Sequence, residues 1–224
     1  KGTLDIFYHP DFVAHFSSRG PVSPFYIKPD LVAPGAFINT TDINKNYNIS
    51  SGTSFAAPHV AGTAALILQK NPQLTPKELK SILMTTSDDV SDQYNEKFPI
   101  EVAGTGRINV SKAINAELII TPPNLIFNLS SDNQIQTKYL KMNGIDGEFM
   151  SIRFEESGIV DFDYSLDNEN LVINAKLTEQ SLGDFESRVV INHNEIDYHI
   201  PIIVRVSEGA ITVNVDGGKF NVDV

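Results

Sequence analysis

The sequence contains no cysteine in its 224 residues, so disulfide staples and a thiolate nucleophile or metal ligand are both excluded. This says little about compartment, since a secreted protein can also do without cysteine. No apolar run approaches the roughly 18 residues that a membrane-spanning helix requires. Lys1-Gly2-Thr3-Leu4-Asp5 shows neither an initiator Met nor a signal-peptide pattern, and a chain starting this way is expected to be a processed, cleaved or truncated product. Basic residues are few, 17 Lys and Arg against 28 Asp and Glu for a net charge of −11, which argues against a nucleic-acid partner. What remains is ordinary for a soluble globular protein, with 41% hydrophobic and 20% charged residues. The length suits one large or two modest domains.

The chain divides into two unlike parts. Residues 1–116 hold ten basic and ten acidic side chains and nine of the twelve prolines, whereas residues 117–224 hold seven basic and 18 acidic side chains. The first part reads as mixed α/β. Ser54 to Gln69 is small and apolar nearly all round, as in a buried helix, and Asn71-Pro72 ends it. Thr75-Pro76-Lys77-Glu78 is a capping box with Pro at the first helical position. Leu79, Ile82 and Leu83 then give one buried stripe. A short helix is expected over Val110–Ala116. Surviving strands of the first part are expected near Phe12–Phe16 and Leu31–Val32.

From Glu117 the apolar period changes to two. Strands are expected at Leu125–Leu129, Tyr139–Met142, Phe149–Phe154, Val160–Tyr164, Leu171–Leu177, Phe185–Asn192, Ile196–Val206 and Ile211–Val215. His193-Asn194 and Asp216-Gly217-Gly218 supply hairpin turns. Seven or eight short strands in about 100 residues point to an all-β sandwich of immunoglobulin or fibronectin type. The boundary falls at Ala116/Glu117, with a short, packed junction.

The chemistry concentrates in Ser51-Gly52-Thr53-Ser54-Phe55-Ala56-Ala57-Pro58-His59-Val60-Ala61-Gly62. A serine at a helix start sits where backbone N–H groups lack partners and the helix dipole favours negative charge. Its own N–H can stabilise an oxyanion forming beside its oxygen. Gly52 leaves room for a substrate backbone, and Gly62 lets the helix pack closely. His59, five residues from Ser54, reads as structural packing.

Gly52-Thr53-Ser54 with Ala56, Pro58, Val60, Ala61 and Gly62 resembles the nucleophile signature of the subtilase family. Phe16-Ser17-Ser18-Arg19-Gly20-Pro21, Lys28-Pro29-Asp30-Leu31-Val32-Ala33-Pro34-Gly35 and Gly104-x-Gly106-x-Ile108-Asn109 resemble three further segments of that family, in the same order. Phe55 departs from the commoner Met. The resemblance implies the later part of a subtilisin-like parallel-sheet domain, with a β-sandwich after it. It also implies a serine endopeptidase acting on polypeptides, with Ser54 as catalytic nucleophile, Gly52 and Thr53 supporting the oxyanion hole, and Pro58 and His59 as structural parts of the motif.

In that family the triad runs Asp, His, Ser along the chain, so the Asp, the His and an oxyanion Asn are expected upstream of Phe16. Neither His9 nor His15 fits the His position. The chain alone is therefore expected to be an inactive fragment, located outside the cell or at its surface, that pairs with the preceding segment or self-associates. No cofactor is required for the chemistry. Structural calcium is not indicated, since Asp161, Asp163 and Asp167 read as solvated strand-face acids. His193 and His199 lack metal-ligand neighbours. Asn-x-Ser/Thr sequons occur at Asn39, Asn48, Asn109 and Asn128. An alternative reading makes the β-sandwich a non-catalytic binding or adhesion module. An α/β-hydrolase esterase fails because Gly52-Thr53-Ser54-Phe55-Ala56 lacks the second glycine of the nucleophile elbow.

Overall fold

The strongest local signal becomes the best-formed helix end. The computed structural model describes residues 12–22, 26–144, 150–155, 157–208, 212–216 and 219–223. In it Thr75 caps the helix Pro76–Thr85. Its hydroxyl accepts from the Glu78 N–H at 3.3 Å, and the Glu78 carboxylate accepts from the Thr75 N–H at 2.8 Å. Pro76 at the first position forfeits no bond, because that N–H has no helical acceptor.

Among the described residues the first part holds four helices and two short strands. They are β1 (Ile38–Thr41), β2 (Tyr47–Ser50), α1 (Thr53–Lys70), α2 (Pro76–Thr85), α3 (Ile100–Ala103) and α4 (Val110–Asn115). β1 and β2 form an antiparallel hairpin that the sequence pattern did not flag. Helix α1 ends at its Asn71 cap as expected, but it is not buried. Only Thr63 and Ile67 are inaccessible, and Leu66 is 46% exposed. A helix apolar on all sides needs cover on all sides, and here α2 and α4 cover one. Ile67 packs there with Ile82, Leu83, Ile108 and Ala113. Nothing approaches within 4 Å of the point where a Gly62 Cβ would sit, so the close packing expected there is absent among the described residues.

The expected strand at Phe12–Phe16 is also absent. Residues 15–17 form a turn closed by Ser17 N–H on the Ala14 carbonyl at 2.9 Å, and no ladder partner lies beside it among the described residues. Leu31–Val32 contributes one parallel bridge, Val32 to Arg107, and Arg107 bridges on to Asp88. Those bridges are what the described residues hold of the expected parallel sheet.

Two four-stranded sheets follow. β3 (Ile119–Thr121), β5 (Ile135–Asn143), β8 (Asn170–Leu177) and β7 (Val160–Asp167) run β3-β5-β8-β7, antiparallel throughout. β4 (Leu125–Ser130), β10 (Ile196–Ser207), β9 (Gly183–His193) and β6 (Met150–Phe154) run β4-β10-β9-β6. In this sheet β4 and β10 are parallel. Alternation sends Leu171, Ile173, Ala175 and Leu177 into a single core shared with Phe127, Leu140, Ile191, Tyr198, Ile200 and Val204. Along β7 the burial fades from Val160 to Phe162 to Tyr164, which is 45% exposed. Its counterpart edge strand β6 spans only five residues.

The β9–β10 turn is Asn194-Glu195, one residue later than expected, and both have positive φ (48° and 63°). This is the left-handed pair that a two-residue hairpin requires. β11 (Thr212–Asp216) and β12 (Lys219–Asp223) form a separate antiparallel hairpin, whose expected Gly217-Gly218 turn lies outside the described residues.

The two parts touch directly. The buried Tyr198 hydroxyl accepts from the Glu117 and Leu118 N–H groups at 3.1 Å, fixing the junction. Ser81 Oγ donates to the Ile120 carbonyl. Lys97 pairs with Glu155 at 2.8 Å.

Candidate active site around Ser54

Ser54 is the second residue of α1 and is exposed. By helix geometry its N–H and that of Thr53 have no intrahelical acceptor. The Phe55 N–H closes onto the Gly52 carbonyl at 3.0 Å. Pro58 has no N–H, so it also frees the Ser54 carbonyl from the helical ladder. The serine therefore sits at a helix entrance beside backbone donors that have no intrahelical acceptor, a place that stabilises developing negative charge.

Glycines fix that entrance by letting motif segments cross. The Gly52 N–H donates to the Gly35 carbonyl at 2.8 Å. A Cβ on Gly35 would lie 2.9 Å from the Gly52 oxygen and 3.1 Å from the Ala56 Cβ. Ser51 Oγ accepts from the Phe37 N–H at 2.8 Å. Gly104, at φ 60°, wedges against the Pro29 and Asp30 carbonyls, where a Cβ would come within 2.3 and 2.5 Å. By contrast, a Cβ on Gly52 would meet the Phe55 ring at 3.6 Å and the Ser54 nitrogen at 3.8 Å, both ordinary contact distances. The glycine with the tightest role beside Ser54 is thus Gly35, which the sequence marked as part of a motif without revealing its contact.

Carboxylates tie the same segments together. Asp30 pairs with Lys28 at 2.6 Å and Lys80 at 2.8 Å. Burial pushes its carboxyl up, but the two lysines outweigh this and hold it below the usual carboxylate range. Asp88 takes Lys112 at 2.8 Å, Asn109 at 2.9 Å and Arg107 at 3.4 Å. These partners outweigh burial in the same way. Asp89 faces the second part of the chain, pairing with Arg188 and, at 3.0 Å, with Lys97. Burial opposes its ionisation, yet His199, Arg188 and Lys97 hold its carboxyl far below the usual range. Asp88 and Asp89 lie in what the sequence presents as a polar loop, and nothing in the pattern marks them.

The remaining candidates separate. His59 is exposed, and its Nδ1 lies 2.9 Å from the Phe55 carbonyl, back along its own helix rather than packed. His15 sits in the turn with its ring edge-on to Phe16. Among the described residues no side chain hydrogen-bonds to Ser54. His193 is the last residue of β9 and is buried. His199 does have a carboxylate neighbour, Asp89 at 3.7 Å, but that carboxylate is engaged by Arg188 and Lys97. Asp163 accepts from Asn174 at 2.6 Å on the exposed face of β7. Among the described residues no group of three or more His, Asp or Glu could hold a metal ion. The Asn109 amide caps α4 and binds Asp88, whereas Asn39, Asn48 and Asn128 are exposed.

Comparison with known proteins agrees with this geometry. The model of the subtilase family, peptidase S8, matches residues 9–106. The minor extracellular protease Vpr of Bacillus subtilis is 32% identical over 162 residues, covering 69% of this chain and 19% of that protein. Subtilisin-like protease SBT2.6 of Arabidopsis thaliana is 38% identical over 139 residues, covering 48% and 17%. Serine protease AprX of Bacillus subtilis is 37% identical over 118 residues, covering 46% and 26%. The chain thus spans about a sixth to a quarter of the length of these relatives. Titin domain M7, a solved structure, overlaps 40% of this chain and 93% of its own at 13% identity, with a TM-score of 0.32, too low to bear on the fold. No helix among the described residues is long and apolar enough to cross a membrane. The matched span contains the Gly35–Gly52 crossing, the Gly104 wedge and the Ser54 helix entrance together, and over residues 9–106 this chain belongs to the subtilase family.

Proposed function

We propose that Ser54 is the nucleophile of a serine endopeptidase. The observation that carries this reading is its place at the entrance of α1, where the first N–H groups have no intrahelical acceptor, with the Gly35–Gly52 crossing beside it. Ser54 Oγ attacks the scissile carbonyl carbon as a general base takes its proton, and the Ser54 N–H stabilises the oxyanion. The C–N bond then breaks, the amine leaves with the proton, and water hydrolyses the Ser54 ester. Gly52 and Thr53 shape the oxyanion site. Pro58 and His59 belong to the helix that carries it. The general base, its orienting carboxylate and a second oxyanion donor come from a segment outside these 224 residues. His59 and His15 are turned to other partners.

The substrates are polypeptides, the chemistry needs no cofactor, and the site works outside the cell or at its surface. The two four-stranded sheets form an immunoglobulin- or fibronectin-like sandwich over residues 117–224, following a subtilisin-like portion over residues 1–116. Their single shared core supports this division. Turnover of a peptide substrate by the whole protein should vanish in Ser54→Ala with folding unchanged. Retained turnover in that variant would refute the reading.

A further inference from the structure

Helix α3, Ile100–Ala103, is four residues long. One turn of helix fixes several dihedrals for very few hydrogen bonds, so it needs outside support. That support comes from the second part of the chain. Both carboxylate oxygens of Glu186, on β9, accept from the Ile100 N–H, at 3.0 and 2.9 Å. Glu186 is exposed as a residue, but its acidic end lies on the α3 backbone, 86 residues away in sequence. Burial there raises its carboxyl above the ordinary glutamate range despite the Ile100 and Glu101 N–H groups, and the Glu101 carboxylate charge adds to the rise. A carboxylate is thus held at an unfavourable place by the contact it makes.

The motif segments around Ser54 meet on this short helix. The Glu101 carbonyl accepts from the Gly20 N–H at 2.9 Å, holding the Phe-Ser-Ser segment. The Gly104 N–H closes onto the Ile100 carbonyl at 2.8 Å, which places Gly104 against Pro29 and Asp30. Thr105 N–H then donates to the Asp30 carbonyl at 3.0 Å, and Val32 N–H to the Gly106 carbonyl at 2.9 Å. Three residues beyond Val32 lies Gly35, bonded to Gly52 at the entrance of α1.

We propose that Glu186 is a positioning residue for the Ser54 site, capping α3 from β9 so that the loops of Gly20 and Asp30–Gly35 set the entrance of α1. The catalytic consequence rests on the reading of Ser54 as nucleophile, whereas the effect on the loops does not. Asp184, two residues away on β9, binds Arg205 at 2.7 Å, and among the described residues no hydrogen bond joins it to α3, so its removal reports general loosening of the sheet.

The test compares Glu186→Ala, Glu186→Gln, Asp184→Ala and Ser54→Ala in the whole protein that contains this chain, by amide hydrogen exchange and peptide turnover. Glu186→Ala should speed exchange at Gly20, Thr105 and Gly52 about tenfold, the loss expected for one charge-assisted hydrogen bond. It should also lower kcat by a similar factor while KM changes little. Glu186→Gln keeps a carbonyl oxygen facing Ile100 and should recover most of both, and Asp184→Ala should change neither. Faster exchange confined to Ile100, equal effects of Glu186→Ala and Asp184→Ala, or a Gln variant as impaired as the Ala variant would each overturn the proposal. Activity persisting in Ser54→Ala would instead overturn the nucleophile reading, and the exchange data would still decide the role of Glu186.

Discussion

The Gly35 carbonyl accepts the Gly52 N–H at 2.8 Å, two residues before Ser54. A methyl group on Gly35 would press on the Gly52 oxygen at 2.9 Å and on the Ala56 side chain at 3.1 Å. Neither obstacle is the end of a flexible side chain, so the backbone itself must move. Gly35→Ala should therefore destabilise the fold by about 1–3 kcal/mol, the usual cost of overpacking, and shift the Ser54 helix entrance. Thermal unfolding together with exchange at the Gly52 amide checks this, and an unchanged melting temperature would count against the contact.

The capping box offers a smaller, cleaner effect. Thr75→Ala removes the acceptor for Glu78 N–H and one hydroxyl contact to the Glu78 carboxylate. A loss of about 1 kcal/mol is expected, read from the denaturation midpoint at unchanged slope.

The Asp89–Arg188 contact predicts a pH dependence. Asp89 is held below its ordinary value of 3.8 in the folded state. Its contribution is therefore fully present above that value and is lost as pH falls below about 4 towards the folded pKa. Glu186 has the opposite sign. Its carboxyl is raised above the ordinary 4.5, so it favours the fold below 4.5 and loses that contribution as pH rises through the folded value. Arg188→Met should cost about 1–3 kcal/mol at neutral pH by leaving Asp89 poorly paired, and should flatten the loss of stability between pH 4 and pH 2. Parallel stability curves for the two proteins would show that Asp89 and Arg188 are not coupled.

Among the described residues the buried members of the shared core all lie between Leu118 and Val206, so residues 117–208 should fold alone as a monomer and unfold cooperatively. The 224-residue chain also exposes Phe37, Ile49 and Leu66 at 55%, 64% and 46%, and it should associate at micromolar concentration in analytical ultracentrifugation. A non-cooperative spectrum for residues 117–208 would contradict the first expectation, and a monodisperse monomer the second.

Much of this was legible in the sequence where local rules decide. The capping box and the alternating strands depend on neighbours a few residues apart, and they appear nearly where their patterns place them. The β9–β10 turn slipped by one residue because Asn194 and Glu195, not His193, take the left-handed conformation. Strand β3 spans three residues, too few for a period to show. The surface of α1 misled for another reason. Small apolar residues all round state that a helix wants cover, not which residues provide it. Glu186 and Arg188 fall inside the strand expected at Phe185–Asn192, and Asp88-Asp89 in a polar stretch, with nothing in the pattern to single them out. The contacts of Glu186 with Ile100 and of Arg188 with Asp89 form only where the two parts dock, and no local pattern encodes a contact across 86 or 99 residues.

The central claim concerns the hydroxyl of Ser54, and covalent labelling tests it most directly. The whole protein should be treated with a fluorophosphonate and digested, and the modified peptide identified by mass. The account predicts one adduct on the peptide carrying Ser54, appearing in step with loss of turnover and absent in Ser54→Ala. An adduct on another residue, or full turnover with Ser54 unmodified, would contradict it.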